Sequence, residues 1–139
     1  MAITESVYGD LTAAARRAAA LAYCPYSRFP VGAAVLTGSG AIVAGCNVEN
    51  ASYGLTICAE RNAVFRAVAQ GPGRLVIQAV LVYTPTPQPT APCGACRQVI
   101  HEFGPDAELI AICDGPAVIR SRLGILLPDA FGPGNLAPY

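Results

Sequence analysis

Hydrophobic positions in the first third of the chain change from helical to strand spacing. Residues Thr4–Ala22 are rich in alanine, with larger apolar side chains spaced as in an amphipathic helix, and Pro25 ends the pattern. Two β-rich runs follow, Val31–Thr37 and Ala41–Val48, and the short link Gly38-Ser39-Gly40 joins them. Two such runs with a glycine-containing link predict a β-hairpin.

The middle of the chain predicts a loop, a helix and a buried strand. A loop over Glu49–Thr56 leads to Cys58–Ala69, where apolar residues recur at helical spacing until Gly71-Pro72-Gly73 stops them. Leu75–Tyr83 is a continuous apolar run of strand length, which is typical of a central strand buried on both faces.

The last third continues the alternation. Thr84–Pro92 is proline-rich and predicts a loop, Cys96–Phe103 a short helix, Glu108–Cys113 a second buried strand and Val118–Arg122 a weak final strand. The tail is predicted to be irregular because it contains Pro128, Gly132, Pro133, Gly134 and Pro138. Alternating helices and strands indicate one α/β domain over residues 1–139, with helices on both faces of a mixed sheet.

The composition is unusually apolar for a domain of this size. Charged residues make up 13% of the chain and hydrophobic residues 53%, against typical shares of roughly 25% and 45–50%. This favours a large apolar face that is closed by self-association. The alternative is a well-buried core with many alanine and glycine residues on the surface.

The charge pattern excludes several classes of partner. The nine basic residues are all arginine, nine acidic residues balance them, and no basic run is present. Proteins that bind long nucleic acids or anionic membranes normally carry such a cluster. The sequence also has no recognisable export signal and no apolar stretch of the roughly 18–20 residues that span a bilayer. We therefore expect a cytoplasmic protein that binds neither nucleic acid polymers nor membranes.

Six cysteines allow two interpretations. Three disulfides would suit a secreted protein, whereas a reducing compartment favours a metal site. The motifs Cys58-Ala59-Glu60 and Pro92-Cys93-Gly94-Ala95-Cys96 support the metal, because three sulfur ligands would hold one zinc ion with its fourth position open. Glu60 shares the pocket only if Cys58 lies at the very start of its helix, where thiolate is also favoured.

The neighbours of these cysteines suggest how the charge of three thiolates is offset. Arg61 and Arg97 each follow a cysteine motif and are candidates to donate to sulfur, the alternative being ordinary surface arginines. A closed structural site with His101 or a fourth cysteine as the last ligand is a further alternative, although it leaves Glu60 without a role. The other cysteines are predicted to be small buried apolar residues, namely Cys24, Cys46 and Cys113.

Cysteine, any residue, glutamate and then Pro-Cys-x-x-Cys is the signature of zinc-dependent nucleobase deaminases. Over nearly its whole length the chain resembles the small homotetrameric cytidine/deoxycytidine deaminases. The matching segments, besides the two cysteine motifs with Arg61 and with Arg97-Gln98, are Tyr26–Ala34, Asn47–Tyr53 and Leu126–Phe131. The resemblance implies a three-layer α-β-α sandwich with a mixed five-stranded sheet.

The resemblance also implies an activity and a set of site residues. The expected reaction is zinc-dependent hydrolytic deamination of cytidine and 2′-deoxycytidine in pyrimidine salvage, with one Zn²⁺ per subunit and Glu60 moving the protons. Asn47 and Glu49 would hydrogen-bond the ribose 3′-hydroxyl, and Tyr53 would line the ribose pocket at a subunit boundary.

Three further residues would contact the base. Phe29 would pack against the base, the Ala59 N–H would hold the cytosine carbonyl, and Phe131 would reach in from a neighbouring subunit of the homotetramer. Two other functions stay open at this stage. One is deamination of another aminopyrimidine nucleoside, such as a blasticidin-type antibiotic. The other is a catalytically silent zinc module for assembly or RNA binding.

Overall fold

The computed structural model describes residues 2–136. The helices are α1 Glu5–Ala19, α2 Ala59–Gln70, α3 Gly94–Phe103 and α4 Leu123–Leu126. The strands are β1 Gly32–Thr37, β2 Ile42–Cys46, β3 Ile77–Tyr83, β4 Glu108–Ile112 and β5 Ile119–Arg122. Short 3₁₀ turns cover Tyr53–Leu55 and Pro133–Asn135. Among the described residues, no helix is long and apolar enough to cross a membrane.

The five strands form one mixed sheet in the order β2-β1-β3-β4-β5. β3 and β4 are parallel, and the other neighbouring pairs are antiparallel. The predicted hairpin is confirmed as the β1–β2 pair, and the long apolar run is confirmed as the central strand β3. Both faces of β1 and β3 are buried, which explains why these strands are apolar without alternation.

Helices cover both faces of the sheet, as predicted. On one face Leu11 and Ala15 of α1 pack against a cluster that includes Leu81 of β3. On the other face Val64 of α2 and Ile100 of α3 pack against a second cluster of buried residues. The result is the expected α-β-α arrangement.

The structure corrects two predictions about the second half of the chain. α3 begins at Gly94 and not at Cys96, because Cys93 has extended backbone geometry and takes the N-cap position. The tail was predicted to be irregular, but α4 forms at its beginning: Leu123 is fully buried, and the Arg97 guanidinium satisfies the Leu126 carbonyl. Pro138 lies outside the described residues.

α2 approaches the sheet closely because β2 has a glycine at the contact. A Cβ at Gly45 would lie 2.5 Å from the Ala63 nitrogen and 2.8 Å from the Ala59 oxygen. Both are backbone atoms of α2, so a flexible side chain cannot move aside to make room. The contact sets the depth at which the first turn of α2 lies above the sheet.

We therefore expect Gly45→Ala to lower the free energy of unfolding by about 1–3 kcal/mol, because α2 must shift away from β2. Gly9→Ala is the matched control, since Gly9 lies on an exposed part of α1 with nothing near the added methyl group. That control should stabilise the protein by about 0.5–1 kcal/mol. Urea unfolding of both variants measures the difference, and equal stability of the two would contradict the close packing.

Candidate active site

Three cysteine sulfurs come together at the N-terminal ends of α2 and α3. The Sγ atoms of Cys58, Cys93 and Cys96 all lie within 4.8 Å of one another, and those of Cys58 and Cys93 are 3.8 Å apart. A tetrahedral zinc ion with Zn–S bonds of ~2.3 Å requires sulfurs separated by about 3.8 Å. Cys58 and Cys93 are N-cap residues whose side chains make no capping hydrogen bond. The three sulfurs therefore fit a zinc ion.

Hydrogen bonding within this cluster favours a thiolate at Cys58. Its pKa falls to about 5, first because Cys96 donates to its sulfur and then because of Arg61 and Cys93. The pKa of Cys96 is raised, chiefly by the same hydrogen bond to Cys58 and then by burial. The two shifts therefore have opposite directions, and Cys58 is the sulfur of this pair that more readily becomes a thiolate.

Arg61 contacts the cluster as predicted. Its Nη2 atom donates to the Cys58 sulfur at 3.5 Å. This hydrogen bond is the main reason why the pKa of the guanidinium is raised. Arg61 therefore offsets part of the charge that three thiolates concentrate here.

Arg97 does not make the contact expected from its position. Its Nε donates to the Pro92 carbonyl at 2.7 Å and its Nη1 to the Leu126 carbonyl at 2.9 Å. Both of these bonds go to backbone oxygen and neither goes to sulfur. Adjacency to Cys96 suggested a sulfur contact, but the side chain leaves α3 toward the loop before Cys93 and toward α4.

Glu60 lies beside the sulfurs with its side chain buried. It is the second residue of α2 and only 4% exposed. Burial is the first cause of its raised pKa, and the negative charge of Cys58 adds to the shift, while hydrogen bonding with Cys96 opposes it. The carboxyl group and the sulfurs therefore share one pocket, because Cys58 precedes the first helical residue.

The alternative of a closed structural site would need a fourth ligand, and the described part of the chain does not supply one. Within residues 2–136, no other cysteine, histidine or carboxylate joins the group of three sulfurs. His101 lies elsewhere on α3, with its Nε2 against the backbone of Gly132. Of the remaining cysteines, Cys113 is buried as predicted, whereas the prediction was wrong for Cys24 and Cys46, which are only half-buried.

A small open cavity lies on the side of Glu49. Its volume is about 350 Å³, and its lining includes Tyr26, Ser27, Tyr53 and Thr56 as well as Glu49. Glu49 Oε1 accepts hydrogen bonds from the backbone N–H groups of Tyr26 and Ser27, at 3.0 and 3.1 Å. The pKa of Glu49 is lowered, first by the Ser27 side chain and then by these backbone donors. The carboxylate is therefore ionised at neutral pH.

Asn47 holds the segment that carries Phe29. Its Oδ1 accepts from the Val31 N–H and its Nδ2 donates to the Phe29 carbonyl, both at 2.8 Å. Asn47 is buried, and these bonds leave the amide one further N–H for a ligand. The residue thus has a structural role in addition to any contact with substrate.

The three aromatic residues predicted to contact the substrate differ in how exposed they are. Phe29 is 38% exposed, Tyr53 74% and Phe131 57%. Sequence reasoning gave no role to Tyr26, whose ring is 5.7 Å from that of Tyr53, or to Gln98, whose Nε2 donates to the Phe131 carbonyl at 2.8 Å. The only sequence signal for these two residues was that each lies in a segment that matches the deaminase family.

Ala59 is completely buried at the first position of α2. Its N–H is one of the first-turn donors that have no acceptor within a helix. Ala59 lies between Cys58 and Glu60 in the sequence, so its backbone N–H belongs to the helix start that carries the sulfur cluster. Another cavity, of about 710 Å³, lies away from the sulfur cluster, at the C-terminal end of α2 and the start of β3, beside Gly38 and Gly73.

Comparison with known proteins also indicates a zinc-binding deaminase. The family described as "Cytidine and deoxycytidylate deaminase zinc-binding region" matches residues 6–113. A cytidine deaminase of Mycobacterium tuberculosis is 52% identical over 122 residues, which are 88% of this chain and 87% of that protein.

Solved structures of cytidine deaminases are similar to this chain in both fold and sequence. The cytidine deaminase of Burkholderia pseudomallei has a TM-score of 0.84 and 48% identity, covering 93% of this chain and all of that one. The cytidine deaminase of Mycobacterium leprae has a TM-score of 0.74 and 40% identity, covering 88% of this chain and 98% of that one. With its zinc-fitting cysteine cluster, its mixed five-stranded sheet and these relatives, the chain belongs to the cytidine deaminase family.

Proposed function

We propose that this chain catalyses the hydrolytic deamination of cytidine and 2′-deoxycytidine to the corresponding uridines and ammonia, in pyrimidine salvage. The observation that carries the proposal is the buried Glu60 beside three sulfurs that fit a zinc ion. Cys58, Cys93 and Cys96 would hold one Zn²⁺ per subunit. When bound, the ion supplies Lewis-acid chemistry that lowers the pKa of water to about 7.

Glu60 carries the proton transfers. Its carboxylate accepts a proton from the attacking water and delivers it to ring atom N3, which makes C4 electrophilic. The C4–O bond then forms, and Glu60 takes the remaining water proton from the hydroxyl group now on C4. It passes this proton to the exocyclic amine, the C4–N4 bond breaks, and ammonia leaves. Burial suits this residue to both roles, because its raised pKa brings carboxylate and carboxylic acid closer in free energy near neutral pH.

The remaining site residues bind and orient the nucleoside. Glu49 and Asn47 would hydrogen-bond the ribose 3′-hydroxyl, and the Ala59 N–H would donate to the cytosine carbonyl. Phe29 would pack against the base. An ionised Glu49 at one wall of a cavity of nucleoside dimensions supports this assignment.

We also propose that the working unit is a homotetramer with shared sites. Exposed aromatic residues support it, since Tyr53 and Phe131 lie largely uncovered in the single chain. In the assembly Tyr53 would line a pocket at a subunit boundary, and Phe131 would cover the base in a neighbour. Each chain would contribute one domain over residues 1–139.

A reducing, cytoplasmic location completes the proposal. The six cysteines are all free thiols in the structure, and three of them form the zinc-fitting cluster. Disulfide formation would compete with zinc for the same sulfurs, so a compartment that keeps thiols reduced suits this chain.

Glu60→Gln should retain zinc and lose at least ~10²-fold in kcat, because an amide cannot move protons. Loss of cytidine absorbance gives the rate, and atomic absorption gives the zinc content. The matched control is Glu102→Gln, an exposed glutamate on α3, which should leave both unchanged. A Glu60→Gln variant with more than a tenth of the wild-type kcat would remove Glu60 from the proton-transfer role.

Cytidine should have a much higher kcat/KM than its 5′-monophosphate. The cavity lining contains a carboxylate, Glu49, and no cationic side chain, so a phosphate there meets like-charge repulsion. Deoxycytidine and its monophosphate provide a second pair for the same comparison. The family description also includes deoxycytidylate deaminases, which act on a nucleotide. A similar kcat/KM for the nucleoside and its monophosphate would place the chain with those enzymes and contradict this prediction.

Subunit mixing tests the shared site. Glu60→Gln and Phe131→Ala should each be nearly inactive alone, and exchange between them should restore part of the activity. Some mixed sites then pair an intact Glu60 with an intact Phe131 from the neighbour. The control mixes Glu60→Gln with the Glu60→Gln/Phe131→Ala double variant, which should restore nothing. Confirmed exchange without rescue would refute the shared site, and a fully active monomer in light scattering would refute the tetramer.

A further inference from the structure

The segment that delivers Cys93 cannot be held by its own backbone. Residues Thr84–Pro92 run from the end of β3 to the cysteine and include prolines at positions 85, 87, 89 and 92. Proline has no N–H group, so this segment lacks nearly half of the backbone donors that would fix its path. Other groups must supply the missing hydrogen bonds.

Two threonine hydroxyls do so. Thr84 is completely buried, and its Oγ1 lies 2.6 Å from Oγ1 of Thr86. Thr86 Oγ1 in turn donates to the Gln88 carbonyl at 2.7 Å. A hydroxyl has only one hydrogen, and that of Thr86 goes to Gln88. The chain of bonds therefore has one direction, from Thr84 to Thr86 to the Gln88 carbonyl.

The segment that follows β4 supports the same path from the other side. The Asp114 N–H donates to the Thr86 carbonyl at 3.0 Å, and the Cys113 thiol lies 3.6 Å from the Pro87 carbonyl oxygen. A Cβ at Gly115 would overlap that same oxygen. Thr86 is thus held twice, because its hydroxyl bonds with Thr84 and Gln88 and its carbonyl accepts from the residue that follows Cys113.

The far end of the segment is fixed separately, where Arg97 Nε binds the Pro92 carbonyl. Between these two attachments lie only Gln88–Ala91, and Cys93 follows directly after Pro92. A change in the backbone path at Gln88 would therefore displace Cys93, which follows only five residues later. Cys93 is the exposed member of the sulfur cluster and has the least packing of its own to hold it.

We infer that Thr86, oriented by Thr84, is a positioning residue that holds Cys93 at the metal-binding distance. The inference rests on the proposed zinc site and adds to it a residue that touches neither metal nor substrate. Loss of the Thr86 hydroxyl should loosen the cysteine and speed the release of the ion. Groups that orient metal ligands typically change metal affinity by about 10–100-fold when removed.

The test follows zinc transfer from the holoenzyme to an excess of a colorimetric chelator. Thr86→Val should release zinc about 10-fold faster than the wild type, and Thr86→Ser should restore the slow rate because serine keeps the donor. Thr90→Val is the matched control, since Thr90 is an exposed threonine of the same segment and should release zinc normally. Leu11→Ala, which destabilises the core on the α1 face, should also release zinc normally below its unfolding temperature.

Zinc release at the wild-type rate from Thr86→Val, or fast release from Thr86→Ser, would overturn the inference. If Thr86→Val does not fold, Thr84→Val provides a second test. This variant should release zinc several-fold faster than the wild type, and an unchanged rate would also overturn the inference. A wild-type chain without stoichiometric zinc would instead refute the proposed function. The two failures are therefore distinguishable.

Discussion

The structure of the site depends on one constraint, which is that three sulfur atoms able to bind one zinc ion must be held within 4.8 Å of one another. Two of the sulfurs belong to N-cap residues, Cys58 and Cys93, which lie at the positive ends of α2 and α3, where the first N–H groups have no acceptor within the helix. Cys96 follows in the first turn of α3. The helix starts thus provide both the geometry and part of the electrostatic balance.

Those helix starts are placed by the layer on which they rest. α2 lies against β2 at a position where Gly45 leaves no room for a side chain, and Ala63 is the helix residue that fills the contact. Small residues in this layer allow close approach of backbones, which is why an alanine-rich sequence forms a well-buried core here. The high hydrophobic content therefore has two sources. One is this packing, and the other is the exposed aromatic surface, which the proposed homotetramer would cover.

Sequence patterns predicted the sheet, the main helices and the cysteine cluster because each depends on local periodicity or spacing. The apolar run of β3 and the spacing of Cys93 and Cys96 are signals of this kind. The start of α3 was missed because the N-cap role of Cys93 is a matter of backbone geometry and not of residue type. The missed helix α4 depends on tertiary contacts, which are the burial of Leu123 and the bond from Arg97 to Leu126.

The two arginines show most clearly where such reasoning stops. Arg61 and Arg97 each follow a zinc-ligand motif directly, so the sequence gives them the same status, yet only Arg61 donates to a sulfur. Zn²⁺ with three thiolates has a net charge of −1, and a single guanidinium at 3.5 Å brings the group to neutrality. Arg97 instead fixes the carbonyl before Cys93, so one arginine sets the charge of the cluster and the other sets its shape.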